Sequence, residues 1–187
     1  MNRGFLFLVI VAAAIPVFAG VATAGEGMEM TPYRGSAELE WMKENLEGEW
    51  EGSKATEGGT TEEMEVQYVV TSNGSAVIEV LSPGTDNEMV SVYHDENGKL
   101  AMTHYCALGN QPKLVLQSSS GDEIFLSLAQ GSPIPQDQPH MHSLKLSYNK
   151  QEDTLRQEWT SYEEGKPAPA LVFTLTRVEY EEDEAEE

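Results

Sequence analysis

From Gly48 to Val178 apolar and polar residues alternate, and before Gly48 they do not. Met64, Val66, Tyr68 and Val70 interleave with Glu63, Glu65 and Gln67. Successive side chains of a strand point to opposite faces, so a period of two predicts a sheet with one buried face. The same pattern predicts strands over 50–55, 64–70, 76–81, 88–94, 99–108, 114–118, 124–129, 140–148, 155–162 and 171–178. Asn73-Gly74 predicts a two-residue type I′ hairpin, and Pro83-Gly84, Glu96-Asn97-Gly98 and Gly109-Asn110-Gln111-Pro112 mark further turns. Only the connection over 130–139 is long.

Short connections make sequential strands neighbours, and closing the sheet removes its exposed edges. The fold class this predicts is all-β: a single up-and-down antiparallel barrel of about ten strands. Eight strands can already hold one small ligand, so ten predict an enclosed cavity. Ahead of the strands the period becomes helical. Ser36 is placed to cap a helix over Ala37 to Glu47, with Leu39, Met42 and Leu46 on one face and Gly48 as its stop. So short an apolar stripe predicts a lid or plug on something larger.

The N-terminus changes the picture. Arg3 is followed by an almost wholly apolar run from Phe5 to Ala19 and by Ala22-Thr23-Ala24. A cationic start, an apolar centre and an A-x-A site are the order of a secretory signal peptide, and the run is short for a membrane span. The chain is therefore read as a signal peptide (1–24), a flexible linker (25–36), a barrel domain (37–178) and an acidic disordered tail (179–187), exported to the periplasm or the exterior. No stable membrane insertion is expected once the signal is removed.

Acids outnumber bases 32 to 11, for a net charge of −21. Such a charge repels phosphate backbones and anionic lipid surfaces, which argues against nucleic acid and membrane partners. Part of it is local, because seven of the last nine residues are acidic. Cys106 is the only cysteine, so no internal disulfide can form and packing alone must hold the fold.

Two resemblances follow from the residues. Gly48-Glu49-Trp50 opens the first strand after a short helix, and Arg177 lies on the last. This resembles the calycin pattern of lipocalins and fatty-acid-binding proteins, which implies that Trp50 packs against Arg177 and seals one end of the barrel. An indole face receives a guanidinium well. Ser91-Val92-Tyr93-His94, the run from Thr103 to Pro112 (T-H-Y-C-x-x-G-N-Q-P), His140-Met141-His142 and Gln157-Glu158-Trp159-Thr160 resemble a bacterial family of lipocalin-like proteins, often exported. That resemblance implies the barrel over Leu39 to Arg177 and brings no activity, substrate or cofactor.

Strand parity then selects a candidate site. His104 and Cys106 share a face with Leu100, Met102 and Leu108, and His140 and His142 share one with Leu144 and Leu146. The two strands are expected to run antiparallel, with the first pair ending its strand and the second starting its own. All four side chains are thus expected at one mouth of the barrel, under the loop that carries Asn110 and Gln111. Imidazole and thiolate suit Zn²⁺ or copper, a histidine can ligate haem iron, and the same groups can bind a polar organic molecule. A hydrogen-bonded rim that holds nothing is the remaining reading. The expectation is an exported small-ligand-binding barrel, with a zinc or copper metalloprotein as the alternative. No phosphate loop, dinucleotide fingerprint or nucleophile motif identifies a reaction.

Overall fold

The computed structural model describes residues 31–56 and 59–179. The signal sequence (1–24) lies outside the described residues, as do 25–30 of the linker and 180–187 of the tail. Among the described residues one α-helix, α1 (Ala37–Asn45), precedes eleven strands. These are β1 (Gly48–Thr56), β2 (Glu62–Thr71), β3 (Ala76–Leu81), β4 (Met89–Glu96), β5 (Lys99–Tyr105), β6 (Lys113–Ser120), β7 (Glu123–Leu128), β8 (His140–Asn149), β9 (Thr154–Glu163), β10 (Lys166–Pro167) and β11 (Leu171–Arg177). Each of β1 to β8 pairs antiparallel with the next; β8 pairs with β9, β9 with β11, and β11 with β1. Ten strands therefore close into a barrel. The eleventh, β10, pairs with β9 as β11 does, and is the start of the same edge. Pro167 and Pro169 lack the N–H that the ladder needs and split the two pieces.

Alternation decides the interior. Leu100 and Met102 on β5, Leu144 and Leu146 on β8, and Leu155 and Trp159 on β9 are all buried, as the period of two requires. The lumen is filled rather than hollow: Trp50, Tyr68, Tyr93, Met102, Leu126 and Trp159 each expose less than 2% of their surface. The expected deep cavity is therefore occupied by side chains. Five surface hollows of about 220 to 480 Å³ are lined by residues other than His104, Cys106, Asn110, His140 and His142.

The barrel has a helix end and a loop end. Ser36 caps α1, its hydroxyl accepting from Leu39 N at 3.2 Å, and it is tied to Asp95 on β4. Leu39, Met42 and Leu46 are fully buried against the barrel, so the helix is the plug its stripe implied. It ends two residues earlier than expected, with Leu46 as the cap residue. The other end of α1 is held by closure. Arg177, paired with Trp50 across β1 and β11, lies 4.2 Å over the indole and donates to the carbonyls of Asn45 and Glu47, each at 2.6 Å. Trp50 donates its own Nε1–H to Leu46 O at 2.9 Å. Cations and N–H donors are favoured where a helix leaves carbonyls unpaired.

Two turns differ from expectation. Thr71 and Ala76 are the last pair of the β2–β3 hairpin, so its loop has four residues rather than two. Ser72, Asn73 and Gly74 all take positive φ, one residue more than the two a type I′ turn requires. At the other end β5 stops at Tyr105, not Leu108. The chain turns when Gly109 N donates to Cys106 O at 2.9 Å, and Leu108 is left 56% exposed instead of facing the lumen.

Candidate functional site

Residues two apart on a strand share a face, and this rule builds a polar chain through the apolar lumen. Glu79 stands between Val77 and Leu81 on β3, and Gln157 between Leu155 and Trp159 on β9; both are fully buried. Tyr68 donates to Glu79 Oε1 at 2.7 Å and Tyr93 to Oε2 at 2.9 Å. Gln157 Nε2 adds a third bond at 2.8 Å, and its Oε1 accepts from Trp159 Nε1 at 2.7 Å. Burial raises the Glu79 pKa, opposed by hydrogen bonds from Tyr68, Tyr93, Ser91 and Gln157. Burial, then the neighbouring carboxyl, carries both tyrosines well above their ordinary value.

The chain reaches His104. Ser91 on β4 pairs directly with His104 on β5, and Ser91 Oγ lies 3.0 Å from His104 Nδ1. The Ser91 hydroxyl also lies close enough to Glu79 to help hold its pKa down. His104 is thus tied to Ser91 through Nδ1, the hydroxyl donating or accepting with the ring tautomer. His104 Nε2 is buried and meets no hydrogen-bond partner among the described residues. The ring packs 4.9 Å from that of Trp159, and burial lowers its pKa to about 4, so it is neutral at ordinary pH.

Above His104 the hairpin continues inward by one more pair. Cys106 N donates to Asn110 O at 3.1 Å, which sets a half-buried Cys106 opposite Asn110 at the lip. Asn110 donates Nδ2 to Pro139 O at 2.7 Å and so bridges the mouth to the residue before β8. That bond fixes the amide, and its buried Oδ1 is left without a partner. Gln111 is exposed and bonds only the local Gly109 carbonyl, at 3.3 Å.

The second histidine pair stands at the same end of the barrel, and a bulge decides its face. β8 matches Met141 with Ser161 and Ser143 with Thr160, so His142 is an extra residue. Such an insertion reverses parity on one side of it. His140 consequently pairs with Tyr162, on the face opposite that of Trp159, while Met141 turns toward the core. Simple alternation placed both imidazoles inside with Leu144; the bulge puts them on the outer side of the wall. There His140 is 2% exposed, its Nδ1 lies 2.7 Å from Gln138 O, and its Nε2 lies 3.2 Å from His142 Nδ1. His142 is half-buried and stacks on Tyr162 at 3.7 Å; burial, then His140, lowers its pKa.

His104, Cys106 and Asn110 thus gather at the mouth, and His140 and His142 gather outside it. Among the described residues no three His, Cys, Asp or Glu side chains are grouped to hold a metal ion, so these four do not form one ligand set. Glu79, Ser91 and Gln157 were not among the site residues expected from the sequence, although Ser91 and Gln157 stand in the motifs quoted for the resemblance. Their signal was present, since each occupies an inward position by parity.

No family model and no curated protein matches the chain. The crystal structure of Rv2717c from M. tuberculosis is similar to it in fold. The TM-score is 0.50, over 77% of this chain and 99% of that one, with 17% of residues identical. At that identity the likeness concerns the fold alone. Among the described residues no helix is long and apolar enough to cross a membrane.

Proposed function

We propose that this is an exported, lipocalin-like barrel that binds a small polar molecule at its loop-end mouth, on His104 and Asn110. The observation that carries this reading is the pair of unsatisfied buried polar atoms, His104 Nε2 and Asn110 Oδ1. A buried polar atom without a partner costs ~1–3 kcal/mol, and both of these stand at the loop end of β5. Asn110 Oδ1 can only accept, so the ligand presents an N–H or O–H group to it, as an amine, an amide or a hydroxyl does, while His104 Nε2 accepts or donates with its tautomer. A net charge of −21 favours a neutral or cationic one. The filled lumen restricts it to the mouth, with Cys106 and the edge of Trp159 as its surroundings. Export rests on the Arg3, Phe5–Ala19 and Ala22-Thr23-Ala24 pattern.

The test is native mass spectrometry of the full chain, expressed in an exporting host and isolated gently. The expected polypeptide begins at Gly25 and carries a non-covalent adduct. The paired substitutions His104→Phe and Asn110→Leu remove the adduct while the β circular-dichroism signal stays. A bare polypeptide mass, or an adduct untouched by both substitutions, overturns binding at this mouth. A mass that still includes residues 1–24 overturns the signal reading. A Soret band would identify the adduct as haem and overturn the reading of a small polar ligand.

A further inference from the structure

We infer that His140 and His142 form a two-imidazole chelate for a divalent transition metal ion on the outer face of the barrel wall, separate from the mouth. On a regular strand, residues two apart stand ~6.6 Å from each other and their rings project in parallel. The bulge at His142 breaks that spacing and turns two ring nitrogens toward each other, 3.2 Å apart. Nitrogens bound at ~2.0–2.1 Å lie ~3.3 Å apart across a tetrahedral zinc and ~2.9 Å apart across a square-planar copper. The observed spacing falls between the two.

The surroundings fit the role. Gln138 O can only accept, so His140 Nδ1 keeps its hydrogen and Nε2 offers its lone pair. A ligating histidine is commonly oriented through its other nitrogen in this way. Tyr162 stacks on His142 with 21° between the planes and holds that ring. In the metal-free state His142 Nδ1–H donates to His140 Nε2. When the ion binds between them, that hydrogen moves to His142 Nε2, and both imidazoles stay neutral. No third His, Cys, Asp or Glu joins them among the described residues, so water completes the shell and the ion exchanges readily. The order of affinity is copper above zinc. The half-exposed His142 is the side of entry.

The experiment is a Cu²⁺ titration of the mature chain carrying Cys106→Ser, which removes a thiol able to reduce the ion, followed by electron paramagnetic resonance. The expected result is one equivalent of copper with hyperfine coupling to two nitrogens. His142→Phe preserves the stack on Tyr162 and is expected to weaken this site at least tenfold, leaving no two-nitrogen signal. His94→Ala is expected to leave it unchanged. A two-nitrogen signal that survives in His142→Phe, or oxygen-only coordination in the parent, overturns the inference. His104→Phe leaves the copper signal intact if the two sites are separate, so failure of the mouth reading and failure of this one are told apart.

Discussion

The burial of His104 makes a quantitative demand on the acid stability of the barrel. Its pKa falls from an ordinary 6.5 to about 4 in the folded state because burial opposes the charged ring. Between those values the unfolded chain holds a proton that the native chain does not, so native stability rises with pH across the window and is lost as pH falls through it. The shift of about 2.5 units corresponds to ~3 kcal/mol between pH 7 and pH 4. Glu79 works in the opposite sense. Its pKa is raised, so the native state binds the extra proton and stability falls as pH climbs above the ordinary glutamate range. Total stability mixes the two, and a difference separates them. Urea unfolding of the parent and of His104→Phe, followed by tryptophan fluorescence from pH 4 to pH 7, isolates the histidine. Phenylalanine keeps the contact with Trp159 and leaves the Ser91 hydroxyl one partner short, at a cost of ~1 kcal/mol. The parent is therefore expected to lose ~3 kcal/mol relative to the variant between pH 7 and pH 4. A parent-minus-variant difference that does not change with pH would refute the buried, neutral His104.

Closure of the barrel can be tested at two positions. Arg177→Ala removes the cation over Trp50 and two bonds to the carbonyls that end α1, and it is expected to cost ~2 kcal/mol after allowance for partial exposure. For a domain of this size that is a fall of ~4–8 °C in Tm, and Arg177→Lys should recover less than half, because an ammonium cannot span both carbonyls. An unchanged Tm in scanning calorimetry would mean that the helix end is not held by Arg177. Gly52→Ala would drive a Cβ into the backbone carbonyl of Thr174 on the neighbouring strand, so β1 and β11 can no longer approach. A loss of ~2 kcal/mol or more is expected in chemical denaturation, and a neutral effect would contradict the register that pairs Gly52 with Leu175.

Local pattern was enough to read the ten strands of the barrel, the plugging helix and the meeting of Trp50 with Arg177. Each rests on alternation, a cap, or the necessity that first and last strands join when a sheet closes. Parity also placed His104 correctly at an inward position, because nothing interrupts β5 before it. The sequence by itself therefore determined the architecture and the inward face of every strand up to its first irregularity. Only the tertiary structure decided the rest. The bulge at His142 is set by how β8 must meet β9, and one inserted residue was enough to move both imidazoles to the other side of the wall. The early turn at Cys106 sent Leu108 outward for a similar reason, since the hydrogen bond from Gly109 closes the hairpin before the alternation ends. The filling of the lumen was equally hidden. Whether ten strands enclose a cavity depends on the volumes of side chains from strands far apart in the chain. Tyr68, Tyr93, Glu79, Gln157 and Trp159 meet only when the barrel has closed around them.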